Sequence, residues 1–219
     1  MRFIVVDGLD AAGKDTHALL IKRRYEKKGE KVIIRSHPST DNMFGYQAKK
    51  ALLEGGKLSK TKASIFFALD VFYSLINYYG KADTVIFVRY LCGIAYLPRS
   101  MVKKLYTVCS KIFPTSNYMF FLDVDPDEAL RRVEDEREET EIFENKKDLI
   151  KVKKKALSMV EDWHRIDTTQ PIPQARKEIE DILEKEDRAN GFIKRERPDK
   201  LETANEQKRK KKIVAESEA

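Results

Sequence analysis

The sequence predicts an α/β protein, a three-layer α/β/α sandwich around a parallel sheet of five strands, and two observations carry that expectation. An apolar run near the start breaks into a glycine-bracketed loop and then a helical stretch, V-V-D-G-L-D-A-A-G-K-D-T over Val5 to Thr16. The same alternation of short β-branched or aromatic runs with helical stretches repeats along most of the 219 residues. Strands joined through helices need crossovers, which are right-handed and put helices on both faces of a parallel sheet. In such a sheet the ligand edge is the carboxyl end of the strands.

Phe3 to Val6 is apolar enough for a strand buried on both faces, and Gly8 to Gly13 is the turn after it. From Lys14 to Lys28 the residues Ala18, Leu19, Ile21 and Tyr25 recur at near-helical spacing, with Gly29 placed as a C-terminal stop. K-V-I-I-R-S-H-P (31–38) reads as the second strand, and Lys60 to Tyr79 as a long, largely buried helix. D-T-V-I-F-V-R-Y (83–90) is the third strand and Y-M-F-F-L-D-V-D-P (118–126) the fourth. H-R-I-D-T-T (164–169) is the fifth, before a closing helix from Ile172 to Glu186. Residues 1–186 are expected to form one domain. Residues 187–219 differ in composition and read as a charged C-terminal tail, disordered or helical in part. The cluster Lys208 to Lys212 leaves contact with nucleic acid open, although such a run is usually just solvated.

Lys and Arg number 43 against 36 Asp and Glu, so the net charge of +7 comes from a dense mixture of both signs. That balance favours anionic ligands in a general way and makes no case for nucleic acid. Cys92 and Cys109 have no disulfide or zinc spacing and are expected to be reduced core thiols. No apolar run approaches the roughly 18 residues that span a bilayer, and the opening stretch is too short for a secretory signal. The expected compartment is the cytoplasm.

Gly8, Leu9, Asp10, Ala11, Ala12, Gly13, Lys14, Asp15 and Thr16 follow the phosphate-loop pattern G-x-x-x-x-G-K-[ST], except that Asp15 stands where a hydroxyl belongs. Small residues let successive N–H groups curl around an anion at a helix N-terminus, and the lysine adds a full charge for the β- and γ-phosphates. Asp15 can still offer an oxygen to a hard cation such as Mg2+, and Thr16 is the neighbouring hydroxyl candidate.

F-I-V-V-D-G-L-D-A-A-G-K-D-T resembles the opening of thymidylate kinases, and V-R-Y followed by A-Y resembles their D-R-Y and A-Y-Q segments. F-L-D-V-D-P-D-E-A-L-R-R is similar to their fourth strand and the helix leading into the lid, and R-E-E-T-E-I-F-E to the lid itself. The ordered resemblance covers residues 3 to 185. It implies a P-loop NTPase fold with a helical lid at about 131–147, a homodimer, and magnesium-dependent phosphoryl transfer from ATP to a deoxynucleoside monophosphate, foremost dTMP to dTDP. It further implies that Lys14 holds the donor phosphates, Arg89 the acceptor phosphate, and Asp10 the acceptor's sugar, while Phe67 stacks on its base; Tyr90 and Tyr96 either line the acceptor cavity or pack against the sheet. Because the loop position that carries a catalytic arginine in some members is Ala11, the lid must supply the cation, and Arg137 is the choice, with Arg132 beside the nucleotide. The bland alternative pairs Arg131, Arg132 and Arg137 with Glu134, Glu138 and Glu141.

Several departures fall on recognition positions. The aspartate of D-R-Y is Val88, the base-contacting arginine of F-A-A-D-R is Val71, and the glutamine of A-Y-Q is Leu97. The R-E-P segment is S-H-P, which leaves Arg35 and His37 as displaced candidates for the acceptor phosphate. Two rival readings follow: a nucleotide-binding regulator with weak or no kinase activity, and a kinase for another monophosphate or one using polyphosphate.

Overall fold

The computed structural model describes residues 1–54, 57–136 and 146–192. Strands β1 (Arg2–Gly8), β2 (Val32–Ser36), β3 (Thr84–Val88), β4 (Tyr118–Asp123) and β5 (His164–Asp167) form one sheet in the order β2-β3-β1-β4-β5. Every pairing is parallel, as expected for strands separated by helical crossovers. The three inner strands are almost wholly buried, which explains their continuous runs of Val, Ile and Phe in place of an alternating pattern.

Helix α1 (Lys14–Glu26) follows the loop directly, and Gly29 turns the chain out of it at φ 80. The long helix α3 is Lys57–Tyr78, starting three residues before the sequence reading placed it. Helix α2 (Met43–Glu54) was not anticipated, because its composition is mixed and a glycine stands in its first turn. The overlooked signal was Asn42, whose Oδ1 accepts from the N–H groups of Phe44 at 2.9 Å and Gly45 at 3.0 Å, an N-terminal cap. A short 3-10 helix (Cys92–Tyr96) and α4 (Arg99–Ile112) follow β3, with Pro98 at the start of α4 where a proline costs no hydrogen bond. Helices α5 (Pro126–Glu136) and α6 (Lys146–Leu157) flank the expected lid, of which residues 137–145 lie outside the described ones.

Backbone contacts divide the chain into two units, 1–181 and 182–219. Helix α7 (Ile172–Ala189) begins in the first, and its last turns belong to the second, closed by Phe192 N donating to Asp187 O at 2.9 Å. The remainder of the expected tail, residues 193–219, lies outside the described residues. Among the described residues no helix is long and apolar enough to cross a membrane. Cys92 is buried and both cysteines are free thiols, with burial pushing each thiol pKa up.

Candidate active site

The loop after β1 is built by the backbone. Gly8 has φ 152 and presses against β4 so closely that a Cβ there would stand 2.3 Å from the Leu122 carbonyl oxygen, which only glycine tolerates. The chain then passes through Ala11 at φ 56 and Gly13 at φ 78 into the N-terminus of α1. A non-glycine residue in the left-handed region is a local cost found most often at functional sites. Lys14 is 3% exposed, and its ammonium donates to the carbonyls of Gly8 at 3.2 Å and of Leu9, with Asp10 Oδ1 at 3.8 Å. Burial, then the nearby Arg89 charge, pulls its pKa down to about 8, against the opposing pull of Asp10, Asp7 and Asp15.

On the donor flank, Arg132 of α5 bridges the loop to the end of β5, donating to Ala11 O at 3.2 Å and Thr168 O at 2.8 Å. Both Arg131 and Arg132 also hold Glu128, and their hydrogen bonds bring its carboxyl down to about 2. Glu128 is not among the acids weighed in the sequence; Arg137, Glu138 and Glu141 lie outside the described residues. His17 is buried behind the loop, and burial followed by the Arg132 charge lowers its pKa. Asp123 at the end of β4 is taken up by Lys153 at 2.6 Å and Arg165 at 2.5 Å, the arrangement of a structural ion pair.

The acceptor flank is built by side chains at the ends of β2 and β3. Arg89 follows β3 in a left-handed conformation, φ 59, secured by its own N–H to Val6 O at 3.2 Å. Its Nη1 donates to Ser36 Oγ at 3.1 Å and to Asp15 Oδ2 at 3.0 Å, and Asp15 also accepts from Ser36 Oγ at 2.8 Å. Burial opposes the Asp15 charge, but Arg89 and then the Ser36 hydrogen bond outweigh it and hold the carboxyl below its ordinary range. Val88 is fully buried, in register with Val6 on one side and Ser36 on the other. The loop aspartate therefore delivers a carboxylate to the end of the very strand that lacks one.

Asp7 was missed in the sequence. It is buried and accepts from Gly8 N at 2.9 Å, Tyr90 N at 2.8 Å and Cys92 N at 2.9 Å, so it fixes the chain leaving β3 against the phosphate loop. The available signal was an acid closing an otherwise apolar strand, which in a buried position must find donors. Tyr96 donates to Asp10 Oδ2 at 2.7 Å, linking the 3-10 helix to the loop, and burial followed by the Asp10 charge pushes its phenol pKa well up.

Phe67 stands half-buried on α3. A Cβ on Gly93 would lie 3.1 Å from its ring, so the glycine leaves room for the phenyl edge. Val71, one turn on, is core, and Asp70 beside it is buried and accepts from Ser39 N at 2.7 Å, Ser39 Oγ at 2.6 Å and Asn42 Nδ2 at 2.7 Å. Arg35 is committed elsewhere: it pairs with Asp41 through two bonds of 2.5 and 2.8 Å, reaches Ser74 Oγ at 3.1 Å and lies 4.1 Å over the Tyr78 ring. His37 is 1% exposed, with Nδ1 at 3.2 Å from Val88 O and 3.0 Å from Arg89 O.

No group of three or more His, Cys, Asp and Glu suited to a metal occurs among the described residues. Mg2+ needs no such cage, since it binds through one or two carboxylates together with substrate phosphates. Asp15, in the first turn of α1 with its side chain 56% exposed, fits that donor set.

A glycine loop entering a helix at the carboxyl edge of a 2-3-1-4-5 parallel sheet, with one cation behind the loop and another at the end of β3, defines a P-loop nucleotide kinase. The family model "Thymidylate kinase" matches residues 6–179, and the chain belongs to that family, whose reaction is ATP-dependent phosphorylation of dTMP to dTDP. Among curated relatives, a probable thymidylate kinase of Methanococcus maripaludis is 31% identical over 73% of this chain and 77% of its own length. One from Archaeoglobus fulgidus is 27% identical over 83% and 94%. One from Thermococcus gammatolerans is 38% identical over a shorter stretch, 31% of this chain and 36% of that relative's length. The thymidylate kinase structure from Candida albicans shares the fold at a TM-score of 0.69, covering 84% of this chain and 92% of that one at 19% identity.

Proposed function

We propose that this chain itself transfers the γ-phosphoryl group of ATP to dTMP. The observation that carries the reading is the meeting of Lys14 and Arg89 across Asp15: one cation is seated in the donor loop and one at the acceptor end of β3, close enough for Arg89 to depress the Lys14 pKa. Phosphoryl transfer asks the protein mainly to position two anions and offset charge on the oxygens between them. The amides of Gly8 to Thr16 and Lys14 hold the donor phosphates, and Arg132 braces the loop beside the nucleotide. Arg89 holds the acceptor phosphate, Asp10 and Tyr96 face its sugar, and Phe67 covers its base. Arg137 supplies the lid cation. Asp15, with Thr16, would hold Mg2+, which would supply positive charge against the donor phosphates.

The unit of function we propose is a kinase domain over 1–186 with a charged tail over 187–219, cytoplasmic, and a homodimer. Support for the dimer comes from α3, where Leu58, Ile65, Leu69, Phe72 and Ile76 are exposed at heptad-like spacing. One observation favours the rival reading of a regulator with little turnover: Asp15 occupies Arg89, and acceptor binding must compete for that guanidinium. The deciding experiment is a coupled assay with ATP, Mg2+ and a panel of nucleoside monophosphates, repeated with polyphosphate in place of ATP. Turnover with ATP and dTMP is expected, and tight ATP binding without turnover of any pyrimidine monophosphate favours the regulator.

A further inference from the structure

Asp7, near the end of β1, faces two parts of the site at once. Its Oδ1 accepts from Gly8 N at 2.9 Å, the first amide of the phosphate loop. Its Oδ2 accepts from Tyr90 N at 2.8 Å and Cys92 N at 2.9 Å, in the stretch that follows Arg89. The carboxylate is buried, so these bonds do not compete with bulk water.

Arg89 needs such support. It stands at φ 59, a conformation that crowds a residue bearing a Cβ and persists only where the surroundings enforce it. Three hydrogen bonds enforce it here. Arg89 donates its own N–H to Val6 O at 3.2 Å, its carbonyl faces His37 Nδ1 at 3.0 Å, and the next N–H, that of Tyr90, goes to Asp7. His37 Nδ1 also lies 3.2 Å from Val88 O, and with two carbonyls before it this nitrogen must carry the ring's hydrogen. His37 is thereby committed to the backbone of the turn, in place of the acceptor-phosphate contact considered for it from sequence.

Of these three partners, Asp7 is the one that also holds the donor loop. We propose that Asp7 is a positioning residue for phosphoryl transfer, its carboxylate locking the Arg89 turn to the phosphate loop and so setting the separation of the donor and acceptor phosphates. It acts through Arg89 and touches neither substrate. This rests on the monophosphate kinase reading above. Phosphoryl transfer depends mainly on positioning. A misplacement of about 1 Å costs on the order of 100-fold even when its cause lies away from the reacting atoms.

The test is kcat/KM for dTMP, per folded molecule, in the natural protein, Asp7→Asn, Arg89→Ala and the double variant. Asp7→Asn keeps the side chain's shape but turns an NH2 group toward N–H donors on one side. The expected loss in Asp7→Asn is roughly 100-fold. In the Arg89→Ala background the same substitution should cost no more than about twofold, because its effect passes through the arginine already removed. A purely structural role lowers stability and leaves kcat/KM of the folded molecules unchanged, and that result overturns the proposal. Losses that multiply in the double variant overturn it as well. Should Asp7→Asn not fold, Asp7→Glu carries the same test, since it keeps the charge and both acceptor oxygens and displaces them by one methylene. A loss that disappears in the Arg89→Ala background is again expected, and an undiminished kcat/KM overturns the proposal while leaving the kinase reading intact. No turnover of any monophosphate by the natural protein sinks the kinase reading instead.

Discussion

The two flanks of the site are built from different materials. The proposed donor side is built mainly from backbone: a loop shaped by Gly8, Ala11 and Gly13, a helix N-terminus and one buried lysine. The proposed acceptor side is lined by side chains, Arg89, Asp15, Ser36, Phe67 and Tyr96 among them, each held by partners from other elements. A backbone site fixes a sequence pattern tightly through its small residues, whereas a side-chain site can exchange its groups so long as charge and shape are kept. This contrast explains why the donor loop departs from its motif at one position and the acceptor flank at several.

Removing the one side chain that the donor flank cannot do without should have the largest effect. Lys14→Ala is expected to lower kcat/KM about a thousandfold, the scale of losing a principal transition-state donor, with the thermal transition little changed. A loss confined to KM would shift the main burden to the loop amides. Next in size, Val71→Arg tests whether the acceptor flank can be returned to the family pattern. Because Val71 is 1% exposed, the arginine would be an unpaired charge in the core, and a loss of about 3 kcal/mol or more is expected in chemical denaturation. A stable variant with better dTMP turnover would show the position open to the base after all.

Asp15 links the two flanks, so Asp15→Ser should separate them. Restoring the motif hydroxyl frees Arg89 and removes the proposed metal carboxylate. The Mg2+ concentration for half-maximal turnover is expected to rise about tenfold, an order set by losing one ligand interaction of about 1.4 kcal/mol, while KM for dTMP falls. An unchanged Mg2+ dependence would leave Asp15 as a partner of Arg89 alone.

The pH dependence is a smaller effect, and its sign follows from the Lys14 pKa of about 8, below the ordinary 10.5. Bound phosphates favour the charged ammonium and raise that pKa. ATP affinity should therefore be flat below about pH 8 as far as Lys14 is concerned, and fall by up to about tenfold per unit above it, read by titration between pH 7 and 9.5. Stability of the free protein moves the opposite way through this group, rising between 8 and 10.5 because the unfolded chain keeps the proton there. Smallest in its effect on the site itself, Phe72→Glu on the exposed α3 stripe should convert the proposed dimer to a monomer in sedimentation while leaving the fold intact, and a natural protein that sediments as a monomer removes the dimer.

The fold was largely legible in the sequence because buried parallel strands are written as uninterrupted apolar runs, and β1 and β4 stand out in that way. Helix α2 was not, since its start is set by the side chain of Asn42 and a glycine stands in its first turn. The donor loop could be read residue by residue, again because backbone geometry demands particular small residues. The acceptor flank could be read only by resemblance. Nothing local to Ser36 or Asp7 says that one will bind Arg89 and the other will gather three N–H groups, since those partners come from distant parts of the chain. His37 shows the same limit: a histidine before a proline carries no signal that one nitrogen will be satisfied by β3 and the other left over.

The central claim, that a conventional donor loop works with a rebuilt acceptor flank, is tested most directly by following ATP and dTMP with Mg2+ by phosphorus NMR on the natural protein. The account predicts ADP and dTDP accumulating together in equal amounts. Bound ATP with no dTDP formed would contradict it.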